Sequence, residues 1–374
     1  MSRDLIVFGE DWGGLPSSTQ HLVSHLAETR KVVWVNSIGL RRPRLSRRDI
    51  QRAWSKLWGK QTSKPQSQNL NKPESFHIVQ PRTLPVPGNQ LERGLAKRLL
   101  LSQIKPVVKA AQLESPILWT SLPTAVDLAG HLEESALVYY CGDDFGALAG
   151  VDHTTVMQRE QELASKADLI MTVSEPLAKR FPHANTRLLP HGVDFDLFST
   201  PAPRASDLPR DGRPVAGFYG SLSEWLDLDL LRQAIVCLPN WHFVFIGKAQ
   251  VDLGEISAFP NVHLLGTRSH EQLPSYVQHW NASLLPFKDN AQIRACNPLK
   301  LREYLAAGRP VISTPFAALE PYRDFVQQVR NADQLVDALK LSICCDNLEK
   351  QKQSVAAHTW QAKAQQVSGW LEQL

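Results

Sequence analysis

Two textures alternate along this chain. Short runs of branched and aromatic residues mark buried strands, and longer stretches with apolar residues every three or four positions mark the helices between them. In the first half, Leu5–Phe8, Lys31–Val35, Ser75–Gln80, Ile117–Trp119, Leu137–Tyr140, Leu169–Val173 and Arg187–Leu189 read as strands. Thr19–Glu28, Gln90–Gln112 and Val156–Lys166 read as helices. A second set follows, with strands Val215–Tyr219, His242–Ile246, Val262–Leu265, Ala282–Leu285 and Val311–Ser313. Its helices are Asp229–Cys237, Glu271–His279 and Pro298–Ala307. Strand then helix, repeated, predicts an α/β architecture with parallel sheets and ligands at the carboxyl ends of the strands. Pro201–Pro214 (PAPRASDLPRDGRP) concentrates proline and charge and reads as a linker region between two halves.

The length of 374 residues suits two domains. The hydrophobic share of 43% is globular, and no apolar run reaches the ~20 residues that span a bilayer. Arg3-Asp4 leads straight into the first strand, so no signal peptide is expected. Cys141, Cys237, Cys296, Cys344 and Cys345 are odd in number and lack metal spacing, which points to reduced thiols in a cytosol. Adjacent Cys344 and Cys345 read as two buried thiols on a helix, with a redox pair as the alternative.

Charge changes the picture locally. Six arginines, two lysines and one aspartate fall between Arg41 and Lys60, so this segment alone exceeds the net +4 of the whole chain. The remainder is mildly acidic, which argues against nucleic-acid binding. Ile50, Trp54, Leu57 and Trp58 fall on one helical face within the basic segment. That pattern predicts an in-plane helix meeting anionic lipid; an ordinary solvated helix is the alternative. The stretch from Arg41 to Pro73 as a whole is expected to be partly disordered.

The densest chemistry lies in Cys296–Thr314, CNPLKLREYLAAGRPVIST. A short helix from Pro298 to Ala307 ends at Gly308, where glycine takes a left-handed cap, and a β-branched strand follows. A helix N-terminus carrying Lys300 is a natural receiver of phosphate. Glu303, one turn on, can accept hydrogen bonds from sugar hydroxyls. Gly13-Gly14, between the first strand and the first helix, permits close backbone approach to a phosphate or sugar. Asp143-Asp144 follow an apolar strand directly and suit a metal, a general base or hydroxyl binding, or the cap of a following helix. Like charges so close raise one of the two pKa values. Lys248, after Ile246-Gly247, stands at another strand end, where it could approach a base or phosphate or stay solvated.

PLKLREYLAAGRPVIST resembles the donor-site segment of GT-B glycosyltransferases, close to the family 4 type, with its Pro-x-Lys-x-x-Glu-Tyr-x-Ala-x-Gly-x-Pro-Val pattern. The remaining motifs follow that family's order from Gly13 to Trp360. The resemblance implies two Rossmann-like domains with parallel sheets facing a central cleft. Residues 1–195 with a crossover helix at 360–374 would form the acceptor domain, and 196–359 the nucleotide-sugar donor domain. It implies Glu303 on ribose hydroxyls and Lys300 on the diphosphate, with Pro298 and Leu299 in the same donor segment. Gly13-Gly14 would face the donor, and Asp143 or Asp144 would activate the acceptor hydroxyl.

The chain departs from the family pattern in several places. Asp143-Asp144 stand where many relatives carry a histidine. His191-Gly192-Val193-Asp194 has histidine in place of asparagine. After Gly220 the usual cations are replaced by Ser221, Glu224, Trp225 and Asp227, which leaves Lys300 and Arg294 to supply positive charge. The glutamate expected eight positions before Glu303 is Ala295.

These features lead to the expectation of a cytoplasmic glycosyltransferase, peripheral on the inner face of the cell membrane through Arg41–Lys60. It would move a sugar from a UDP- or GDP-linked donor to a glycan or lipid-linked acceptor in surface polysaccharide assembly, with no bound metal and no other cofactor. A nucleotide-sugar epimerase of the same fold, or a catalytically degenerate scaffold subunit, are the alternatives.

Overall fold

The computed structural model describes residues 2–14, 17–38, 75–84, 87–147, 152–344 and 348–374. The basic segment Arg41–Lys60 and Cys345 lie outside these residues. The chain forms two compact units, residues 1–189 with 363–374 and residues 190–362.

The first unit is built on a parallel sheet of seven strands. These are β1 (Leu5–Phe8), β2 (Val32–Val35), β3 (Phe76–Val79), β4 (Ile117–Thr120), β5 (Ala136–Cys141), β6 (Leu169–Thr172) and β7 (Thr186–Leu188), in the order β3-β2-β1-β4-β5-β6-β7. β1, β2, β4, β5 and β6 are buried along their whole length, as strands covered on both faces must be. Helices connect them, Ser18–Leu26 capped by Ser17, Gln90–Ala110 capped by Asn89 and His153–Lys166 capped by Asp152. The last residues of the chain complete this unit. Val367 and Leu371 are fully buried, Arg30 Nη2 donates to Ser368 Oγ at 2.8 Å, and Arg3 Nη2 donates to the Leu371 carbonyl at 3.0 Å.

The second unit has a six-stranded parallel sheet of β8 (Val215–Tyr219), β9 (His242–Ile246), β10 (Val262–Gly266), β11 (Ala282–Leu285), β12 (Val311–Ser313) and β13 (Val326–Gln328), ordered β10-β9-β8-β11-β12-β13. Gly217 in β8 is required by packing, because a Cβ there would lie 1.7 Å from the Trp280 ring. β13 is an edge strand that the sequence pattern does not mark. Its Val326 is buried while Gln327 and Gln328 are exposed.

Three other local expectations change. The proline-rich Pro201–Pro214 stretch is not a free linker but a strap on the second unit. Ala205 N donates to Ser275 O at 3.0 Å, Gln278 accepts from Ala202 N, Arg268 pairs with Asp207 at 2.6 Å, and Leu208 is buried. Glu271–His279 is not one helix, because Pro274 starts a new short helix, Pro274–Val277, after a 3₁₀ turn at His270–Gln272. Cys344 is exposed, just past the end of the Ala332–Ser342 helix, rather than buried. No helix among the described residues is long and apolar enough to cross a membrane.

Candidate functional site

In the second unit the end of β8 meets the helix Leu299–Ala306 on one side and the loop after β9 on the other. Gly220 and Gly247 follow these strands with φ of +130° and +143°, a region that favours glycine. A Cβ on Gly247 would lie 1.9 Å from the Gly220 carbonyl oxygen, so the two loops touch backbone to backbone. Pro298 caps the helix, Ala307 closes it and Gly308 leaves it at φ +64°, as the sequence pattern predicts.

Lys300 on the first turn lies beside Gly220, where an added Cβ would be 3.1 Å from its Nζ. Its ammonium sits 5.4 Å from the Phe218 ring centre and 5.9 Å from that of Phe287. Among the described residues it has no hydrogen bond or ion pair. Burial lowers its pKa, against the raising influence of Glu303 and Cys296. A cation held by aromatic faces at a helix N-terminus, with no anion in salt-bridge contact among the described residues, is an anion-binding arrangement.

Glu303, one turn on, is buried and already engaged. Tyr219 OH donates to its Oε2 at 2.5 Å, and His270 Nε2 meets its Oε1 at 2.9 Å. Tyr219 is itself fixed, because its backbone N–H donates to Tyr304 OH at 3.1 Å. Each carboxylate oxygen retains acceptor capacity beyond one bond. His270 and Tyr219 are the residues that sequence reasoning missed. Tyr219 looks like the last apolar residue of a strand, and only its place directly before Gly220 marks it. His270 sits in a Ser269 capping turn, and no spacing ties it to Glu303.

The other donor-side candidates have differing local surroundings. Ser221 is reached by Gln250 Nε2 at 3.5 Å, and Leu222 N donates to the Lys248 carbonyl at 3.0 Å. The Lys248 side chain is exposed. Arg294 is exposed and pairs with exposed Asp289 at 2.6 Å. Ala295 ends the short helix Ala291–Ala295 and is buried, so no acid stands in its place. Asp227 caps the helix Leu228–Cys237 by accepting from Leu230 N at 3.0 Å. His191, Gly192 and Val193 pack against Thr359-Trp360, where a Cβ on Gly192 would clash with the indole at 2.8 Å.

In the first unit the adjacent aspartates at the end of β5 separate into two roles. Asp144 accepts from Arg180 Nη1 and from Gly146 N, and Arg180 also holds buried Glu160 at 2.6 Å. Asp143 is exposed as a residue, and among the described residues its carboxylate accepts no hydrogen bond. The protein packed around it, and then the Asp144 charge, push its carboxyl up to about 6. Glu10, after β1, is pushed up to about 7, mainly by burial and further by Asp143 and Asp11. Gly13 takes φ +71° and its N–H donates to Gln20 Oε1 at 3.1 Å, while Gly14 N donates to the Asp11 carbonyl at 3.0 Å. Trp12 of this loop packs on Trp34 and Phe76 with ring centres 4.8 Å and 4.3 Å away.

Residues 213–343 match the family model described as "Glycosyl transferases group 1". A Bacillus subtilis (strain 168) protein, provisionally named as the teichuronic acid biosynthesis glycosyltransferase TuaH, is 28% identical over 235 residues. The match covers 58% of this chain and 59% of that relative, so the chain spans about three-fifths of the relative's length. Sucrose-phosphate synthase from Thermosynechococcus elongatus superposes with a TM-score of 0.68 at 16% identity, covering 99% of both chains. HepE from Anabaena, solved in complex with UDP and glucose, gives 0.62 at 14% identity over the full length of both chains. At these identities the solved structures establish the fold.

Proposed function

We propose that this chain, a group 1 glycosyltransferase of GT-B fold, transfers a sugar from a nucleotide-sugar to a glycan or lipid-linked acceptor in cell-surface polysaccharide assembly. The observation that carries the reading is Lys300, an ammonium without an anionic partner at a helix N-terminus, one turn from a fixed carboxylate. A nucleoside diphosphate fits that pairing. Its phosphates take the Lys300 charge and the free N–H groups of the helix start, with Gly220-Ser221 leaving room for close approach. Its ribose hydroxyls donate to Glu303, whose orientation Tyr219 and His270 fix.

In the transfer the bond between the sugar C1 and the diphosphate oxygen breaks, and a bond from C1 to the acceptor oxygen forms. The diphosphate leaves with the bonding pair, and Lys300 with the helix N-terminus stabilises that charge. The reading gives no role to a metal ion. The acceptor proton passes to Asp143, because Asp144 is held by Arg180 while the Asp143 carboxylate is open and its raised pKa suits a base. Pro298 and Leu299 shape the helix start, and Lys248 and Arg294 are outer cations of the same site.

The TuaH name and the UDP in the HepE complex favour a UDP-linked donor over a GDP-linked one and a surface glycan as acceptor. The basic Arg41–Lys60 segment fits a position on the inner face of the cell membrane, where such glycans start. The test is a thermal-shift panel of UDP, GDP and their sugar conjugates on wild type and Lys300→Met. One nucleotide should raise the wild-type midpoint, and the variant should lose most of that rise. No rise with any nucleotide would favour the scaffold alternative, to which Ala295 and the Asp289-bound Arg294 already lend support.

A further inference from the structure

The helix Gln90–Ala110 makes its core contacts through Ala96, Leu100 and Ile104. Leu91, Leu95 and Leu99 repeat every four residues on another side and are exposed, Leu91 by 87% and Leu95 by 52%. At about 100° per residue the centre of this stripe lies roughly 140° around the helix from the centre of the buried face. The stripe is therefore not a continuation of the core. Exposed Arg98, Lys105 and Lys109 fall along one of its borders by the same spacing. The single acid of the helix, Glu92, is drawn to the helix start, accepting from Gly88 N at 2.6 Å and Asn89 Nδ2 at 3.0 Å. Exposed Leu84 lies in the segment that Arg82 and Gln103 tie to this helix through two 2.8 Å bonds.

We infer that the Leu91/Leu95/Leu99 face docks the first unit on an anionic lipid surface, with the helix lying in the plane of the interface. Leucines on one side and cations beside them, with no exposed acid between, match a boundary where acyl chains begin and headgroup phosphates stand above them. The cations choose lipid over an apolar protein groove. Each cation near such a surface strengthens partition about fivefold. This face belongs to a different stretch of the sequence from Arg41–Lys60 and does not depend on donor chemistry.

The test is cosedimentation of the full chain with phosphatidylglycerol-rich vesicles and with phosphatidylcholine vesicles. Wild type should bind the first and not the second, and high salt should weaken binding. Leu91→Ser/Leu95→Ser/Leu99→Ser should lower partition at least about fiftyfold with an unchanged circular dichroism spectrum, because the three side chains are exposed. A chain lacking residues 41–60 should retain binding that the triple variant loses. Wild-type partition by the triple variant would overturn the inference, as would complete loss of binding on removing residues 41–60 alone. Light scattering that shows a concentration-dependent dimer, abolished by the leucine changes while vesicle binding persists, would overturn it in favour of a second copy.

Discussion

His270 Nε2 lies 2.9 Å from Glu303 Oε1, so the carboxylate proposed to hold a ribose is itself held by an ionisable ring. Burial alone would lower His270 and raise Glu303. For His270, the Glu303 bond and charge, with Asp194 and Glu271, reverse this and leave its pKa raised. For Glu303, the His270 bond and charge, the Tyr219 hydroxyl and Lys300 leave its pKa lowered. The His270 contribution to stability is complete below its ordinary value of 6.5 and is lost as pH rises through the higher folded value. The Glu303 contribution is complete above 4.5 and is lost as pH falls through the lower folded value. The midpoint difference between wild type and His270→Gln should therefore be largest between these values and shrink by pH 9. Scanning fluorimetry across pH reads it, and a difference that grows on the alkaline side would refute the pairing.

Lys300 makes no ion pair within the described residues, so its charge is available to a ligand at little structural expense. Lys300→Met should leave the midpoint within about 1 °C of wild type. It should weaken nucleoside diphosphate at least about tenfold and leave nucleoside affinity nearly unchanged. Titration calorimetry with both ligands distinguishes loss of phosphate contact from general loss of the site.

Gly247 and Gly212 both have positive φ, but only Gly247 faces another backbone. Gly212→Ala should cost about 1 kcal/mol from backbone strain alone. Gly247→Ala adds a collision with the Gly220 carbonyl and should cost on the order of 3 kcal/mol. Equal losses in denaturant unfolding would mean that the loops after β8 and β9 are not in contact.

Asp143 and Asp144 should part company in opposite directions. Asp143→Asn removes no hydrogen bond and should shift stability by less than about 0.5 kcal/mol, while kcat falls by about two orders of magnitude or more. Asp144→Asn breaks the Arg180 contact and should cost about 1–2 kcal/mol of stability, with the smaller effect on kcat. Transfer assays beside urea melts give both numbers for each variant.

The central strands of both sheets were legible because fully buried parallel strands carry unbroken apolar runs, as in VVWV and HFVFI. The donor-segment helix was legible in full, since proline before it and glycine after it mark its ends. What escaped reading was what depends on contacts between distant residues. The Pro201–Pro214 strap has linker composition, and its docking follows from Ser275, Gln278 and Arg268, far along the chain. β13 has one buried residue in three, too little for a periodic signal. The division of labour between Asp143 and Asp144 turns on Arg180, and the setting of Glu303 turns on His270 and Tyr219. Nothing in local spacing announces these pairs.

The return of the chain's last turns to the first unit has a consequence in time. Arg30, Arg3 and the cavities that receive Val367 and Leu371 are synthesised early, while their partners come after the entire second unit. At about 5–20 residues per second, the 338 residues from Arg30 to Ser368 take roughly 17 to 68 seconds. The second unit can therefore reach its native state while the first, though older, still waits unclosed on the ribosome. Its open apolar seat is the surface that a chaperone would be called on to shield until the final residues arrive.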